Sequence, residues 1–262
     1  MHFEQRLEFI DSLPRLPITT PRVAAFSSNS VTQTPPPEHD IDKPTASVMP
    51  DNINAFLPGA TDENISDVNL CKLVMQNAAT KMYPEDSQLF EWYKYYVNGL
   101  SHLGWVTQGR DIEGTTISRT GLTMNQVAVE MAARLIGANA AAVLAKVAEQ
   151  AVGHIQKNSD IIRVYEHNKK LGTQAKFDIS PVWIDNYKQP NMILNCISLD
   201  ARESSRGILF WKSTTQSTTL KTGAVRSYLD TKVFSGLRET LYGKYSENGK
   251  KYIIDLPDLD LD

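Results

Sequence analysis

Large side chains are missing from the middle of this sequence: between Val106 and Val164 there is no Phe, Trp or Tyr. An aromatic-cored element is thereby excluded from nearly sixty positions. Cysteine is almost absent too. Cys71 and Cys196 are the two in the chain, and they form no CxxC and no Cys/His cluster. That spacing matches no zinc ribbon; a single disulfide stays open, and a reduced, cytosolic chain is favoured. Neither sign of charge dominates: 27 basic and 30 acidic residues are scattered without long same-sign runs, for a net charge of −3. Nucleic acid is therefore not an expected partner, since the basic footprint it requires is lacking.

Long apolar runs are missing as well. No stretch approaches the roughly 20 residues that span a bilayer, and Arg134, Asn139, Lys146 and Glu149 interrupt the nearest one. The start, MHFEQRLEFI, lacks the basic region and apolar run of a secretory signal. The expectation is a chain that is cytoplasmic or released without a classical signal, meeting a membrane only peripherally or through an added lipid. Enzyme signatures are equally scarce. There is no GxSxG, HExxH or dinucleotide fingerprint, and no metal site is expected. Gly99, Gly104, Gly109 and Gly114 recur every five residues without forming a phosphate loop, and read as turn residues.

Proline is abundant in one place. Nine of thirteen precede residue 59, among them Pro35, Pro36 and Pro37. Residues 1–62 therefore read as a Pro-rich arm or linker, with a short helix between Met1 and Leu13, and residues 63–262 as a single α+β domain. At 262 residues with 41% apolar content the chain can bury a sizeable core.

From Ser66 to Met82 the apolar residues Val68, Cys71, Leu73, Val74 and Ala78 recur at helical spacing, which makes Cys71 a core residue. Pro84 opens a helix toward Gly104, and the segment from Tyr83 packs Tyr83, Phe90, Trp92, Tyr93, Tyr95 and Tyr96 into fourteen positions. Trp105 to Thr120 reads as one or two short strands. Thr123 with Gln126 forms a capping box opening one long helix to about Lys157, in which ten of the residues from Val127 to Val152 are Ala. A further helix is expected from Ser159 to Lys170, ended by Gly172. Lys176 to Ile184, Met192 to Leu199, Gly207 to Ser213 and Thr218 to Leu229 are β-branched, apolar segments expected of an antiparallel meander. Asp230 to Tyr245 returns to a helix, and Lys251 to Leu256 can add a last strand. The expected fold is α+β: an antiparallel sheet of about four to six strands packed against several helices, including one long Ala-rich helix.

Cys196 stands in Met192-Ile193-Leu194-Asn195-Cys196-Ile197-Ser198-Leu199, a strand apolar on both faces and so central in the sheet. The tyrosine-rich helix, His102-Leu103-Gly104-Trp105-Val106 after it, the alanine-rich helix and this strand cysteine together resemble the Erwinia virulence factor family, bacterial proteins acting in infection of insects. The resemblance spans roughly residues 64 to 255. It implies a palmitoyl group, from palmitic acid, held as a thioester on Cys196 with its chain buried. The fatty acyl chain is then the partner, and a membrane surface a second one if the lipid serves as an anchor. A sixteen-carbon chain needs a tunnel about 20 Å long, the span of some thirteen helical residues at ~1.5 Å each. Ala138, Ala141, Ala142, Ala145 and Ala148 can wall such a tunnel. The same small residues also permit close helix packing with no ligand, as at Ala133/Gly137 and Gly137/Ala141.

Two other functions stay open on the sequence. The Ser/Thr-rich run from Lys212 to Thr222 suits a pore-lining hairpin of a membrane-damaging toxin. Cys196 suits the nucleophile of an acyltransferase or thioesterase, with His102, His154 or His167 as its base.

Overall fold

The computed structural model describes residues 2–17, 39–117, 120–136, 138–166, 174–200 and 218–260. Within these, helices α1 (Phe3–Ser12), α2 (Asp62–Met82), α3 (Leu89–His102), α4 (Met124–Ala133), α5 (Ala138–Gln156), α6 (Ser159–Tyr165) and α7 (Thr231–Gly249) flank strands β1 (Thr45–Met49), β2 (Asn52–Phe56), β3 (Trp105–Ile117), β4 (Gln174–Ile184), β5 (Pro190–Asp200), β6 (Thr218–Leu229) and β7 (Ile254–Asp255). The α+β class holds. The seven strands form one sheet in the order β3-β6-β5-β4-β2-β1-β7.

Two strands come from the segment that reads as an arm. Thr45–Met49 and Asn52–Phe56 lie between Pro44 and Pro58, and both are fully buried. They are joined at Pro50-Asp51, where Asp51 takes φ 57°. Pro at the first turn position and a residue tolerant of positive φ at the second suit a tight reversal. The sheet is antiparallel except at β2–β4, where Asn52↔Asp178 and Asn54↔Ser180 run parallel. The parallel pair arises because α2 to α6 and β3 separate β2 from β4 in the chain, long enough for a crossover.

The sheet divides the core into two layers. On one face α1, α2, α3 and α7 cover Phe56, Val182, Leu194, Cys196 and Val225. On the other, α4, α5 and α6 cover Ile53, Ala55, Ile179, Ile193 and Ile197. Strand alternation sends Leu194 and Cys196 one way and Ile193 and Ile197 the other, as a strand apolar on both faces requires.

The long Ala-rich helix is two helices. Thr123 and Gln126 cap α4 as expected, with the Thr123 N–H donating to Gln126 Oε1 at 2.9 Å. α4 then ends at Ala133, where the N–H groups of Leu135 and Ile136 both close on the Ala132 carbonyl. Helical propensity is weakest next to Gly137, which costs about 1 kcal/mol relative to Ala in a helix interior. Trp105–Ile117 forms one 13-residue strand rather than two short ones, paired along its length with β6. The last expected strand shrinks to Ile254–Asp255. The expected strand at Gly207–Ser213, Pro35–Pro37, Gly137 and Gly172 lie outside the described residues.

Candidate functional site

β5 is an interior strand, between β4 and β6, and Cys196 faces the α2–α3 layer at 5% exposure. Its partner on β6 is Gly223. The missing side chain there makes room for the Tyr93 ring, whose Cε1 would lie 3.0 Å from a Cβ built on Gly223. Tyr93 in turn donates its hydroxyl to the Leu194 carbonyl at 3.1 Å. Tyr93 thus ties helix α3 to β5 and β6 beside Cys196.

On the other side of β5 the ladder is open. β4 and β5 pair from Gln174↔Asp200 to Phe177↔Ile197 and again from Val182↔Met192 to Ile184↔Pro190. In between lies Pro181, which has no N–H to give. Side chains fill the gap: Asp178 Oδ1 accepts from the Asn195 N–H at 3.1 Å, and Asn195 Nδ2 donates to the Ile179 carbonyl at 2.9 Å. The opening therefore ends beside Cys196.

Asp178 belongs to a buried polar seam absent from the sequence reading. Lys72, fully buried on α2, donates to Asn54 Oδ1 at 2.5 Å, Ser180 Oγ at 2.6 Å, Asn52 Oδ1 at 3.1 Å and Asp178 Oδ2 at 3.2 Å. Asn54 continues the seam to Asn69 at 2.7 Å, and Asn69 to Ser47 at 2.8 Å. Burial pulls the Lys72 ammonium below its ordinary pKa, against the opposing charge of Asp178. Burial likewise pushes Asp178 above the usual carboxylate range, while Lys72 and the Ser180 hydroxyl pull it back. Each charge is tolerated only because the other is there.

Tyr96 completes the surroundings. It is 2% exposed, and its hydroxyl has no hydrogen-bond partner. Burial drives its pKa well up, and Asp178, Tyr93, Cys196 and Cys71 add to the shift from within electrostatic range. A buried hydroxyl without a partner costs about 1–3 kcal/mol, so its presence asks for an acceptor.

No family model matches the chain, and no curated protein matches it significantly. Among solved structures, the structure of the Evf virulence factor is similar at 12% identity over 78% of this chain and 80% of that one, with a TM-score of 0.36. A likeness that loose carries no conclusion about function.

The structure does not bring the alanines to Cys196. Ala148 is buried in the α5 layer, on the opposite face of the sheet. Ala141 is half-buried, Ala142 and Ala145 are exposed, and the side chain of Ala138 lies outside the described residues. The buried stripe of α5 is instead Leu144, Val147, Ala148, Ala151 and Ile155. The helix turns its larger residues inward, so the transfer free energy of Leu, Val and Ile sets its orientation over the small-residue face.

Neither His102 nor His154 is placed to serve Cys196. His102 stacks on Phe9 with centroids 4.0 Å apart, and burial, then Arg6, lowers its pKa. It precedes β3, whose Trp105 pairs with Leu229, six residues along β6 from Gly223 and so roughly 20 Å away at ~3.3 Å per residue. His154 is exposed on α5, and His167 lies outside the described residues. Of the Ser/Thr-rich run, residues 212–217 also lie outside. The remainder joins β6, an interior strand between β3 and β5. Among the described residues no helix is long and apolar enough to cross a membrane, and no three metal-ligating side chains group together.

Proposed function

We propose that this chain is a bacterial virulence protein carrying a fatty acyl group, palmitoyl in the family its sequence resembles, as a thioester on Cys196. The observation that carries the reading is the Tyr96 hydroxyl, buried without a partner in the surroundings of Cys196. A thiol is a weak acceptor, whereas a thioester carbonyl accepts a hydrogen bond, so acylation supplies what Tyr96 lacks. The open β4–β5 ladder and the absent side chain of Gly223 flank the same position.

The residues present fit such a group. Cys196 belongs to the same apolar cluster as Tyr93, Tyr96, Val97 and Leu194 on the α2–α3 face, which supports an acyl chain on that side of the sheet rather than along α5. Bound there, a sixteen-carbon chain supplies roughly 10 kcal/mol of apolar burial at ~0.8 kcal/mol per CH₂, before ordering costs. Tyr93 holds the β5 backbone through Leu194, and Tyr96 orients the carbonyl. In this reading the lipid is part of the core and the reserve from which a membrane anchor is drawn.

Feeding an alkynyl palmitate analogue to the producing bacterium tests this. The wild type takes up a label that neutral hydroxylamine removes, Cys196→Ser takes up none, and Cys71→Ser labels normally. Label retained in Cys196→Ser, or absent from the wild type, contradicts the proposal.

A further inference from the structure

A cleft of about 340 Å³ opens between α2, α7 and β7, away from Cys196. Its walls carry opposite charges that do not meet. Lys250 follows the last turn of α7 and Asp255 lies on β7, both line the cleft, and neither has an ion-pair partner among the described residues. Asp255 is held in place from behind: its Oδ1 accepts from the Ser47 hydroxyl at 2.5 Å and from Asn69 Nδ2 at 3.4 Å. Both donors are neutral, so the carboxylate is oriented but not compensated. Asp62 lies within electrostatic range of it and adds negative potential at that end.

The rest of the lining sorts by chemistry. Leu70 and Ile253 give an apolar wall, and the hydroxyls of Ser66 and Ser246 stand on facing helices. Ser246 and Lys250 are four residues apart, so α7 presents them on one face. The volume is at the lower end of ligand sites, ~300–1,000 Å³. A solute that neutralises both walls must carry both charges.

From this we infer that the cleft binds a small zwitterion, an α-amino acid with an aliphatic side chain. Its ammonium group meets Asp255, its carboxylate meets Lys250, and its side chain packs on Leu70 and Ile253. The inference is independent of acylation at Cys196. It depends on a cation site and an anion site being separated, which an isolated acidic or basic patch would not provide.

Isothermal titration of the full chain with L-leucine, leucinamide and N-acetyl-leucine separates the two ends. L-leucine binds at millimolar concentration or better, and each blocked analogue binds about 10- to 100-fold more weakly, the worth of one hydrogen bond to a charged group. Lys250→Met removes the preference for leucine over leucinamide, and Asp255→Asn removes the preference over N-acetyl-leucine. Lys250 is exposed, so its substitution leaves the fold intact and keeps the test decisive if Asp255→Asn is unstable. No heat with L-leucine, or binding that Lys250→Met leaves unchanged, overturns the assignment.

Discussion

Replacing Lys72 by Met leaves Asp178 buried at 5% exposure without its cation, and removes the donor shared by Asn52, Asn54 and Ser180. Breaking a buried pair from one side costs about 3–5 kcal/mol. Asp178 has an escape that sets the pH dependence. Its folded pKa already lies above the ordinary value because of burial, and losing Lys72 removes an influence that lowers it. A carboxyl whose folded pKa is raised binds more protons folded than unfolded, so its stability contribution is complete below the unfolded pKa of ~3.9 and is lost as pH rises toward the folded value. Lys72→Met is therefore least destabilised in acid, and loses up to ~1.4 kcal/mol per pH unit in the window between the two pKa values. Urea unfolding at a series of pH values, followed by circular dichroism, measures it. The double variant Lys72→Met/Asp178→Asn removes the unpaired charge and recovers most of the loss at neutral pH, because the Asn oxygen still accepts from the Asn195 N–H. A single variant within about 1 kcal/mol of wild type at pH 8, below the cost of one orphaned buried group, refutes the reasoning. So does a loss that does not change with pH.

Tyr96→Phe distinguishes the acylated core from the bare one. In a Cys196→Ser background it is neutral or stabilising, since it deletes an unpartnered hydroxyl. In the acylated chain it costs about 1 kcal/mol, the net worth of one hydrogen bond; equal effects in both backgrounds, by thermal unfolding, count against a Tyr96–thioester bond. Gly223→Ala places a Cβ 3.0 Å from the Tyr93 ring and is expected to cost about 1–3 kcal/mol by overpacking, read as a lower urea midpoint. An unchanged midpoint would mean that Tyr93 is not packed there. Arg238→Met strips Asp67, 1% exposed, of its guanidinium partner but leaves Tyr242 donating at 2.8 Å. The loss is about 2 kcal/mol, smaller than at Lys72 because Arg238 is itself a third exposed.

Periodicity made most of this architecture readable. The aromatic stripe of α3, the apolar stripe of α2, the capping box at Thr123 and the two-faced apolar strand around Cys196 are local signals, and each places its element and its buried side. What escaped depends on pairing between distant segments. β1 and β2 were obscured because Pro44, Pro50 and Pro58 bound two five-residue strands whose pairing with β4 and β7 and whose covering by helices on both faces all come from distant parts of the chain. The Lys72 seam was written as alternation, with Asn52 and Asn54 on one strand and Asp178 and Ser180 on another. It takes the parallel register to set them opposite each other beneath a lysine in an apolar helix. The alanines misled for a different reason: small residues mark where a helix can be approached, not which face is covered. On α5, Leu144, Val147 and Ile155 decided that. The cleft at Lys250 and Asp255 has no motif, because its two charges belong to elements that meet only in the folded chain.

Intact-mass measurement decides whether Cys196 carries a thioester. Protein purified from its native source, weighed before and after neutral hydroxylamine, should carry the mass of one fatty acyl group and lose it on treatment. A mass that does not change with hydroxylamine contradicts the account.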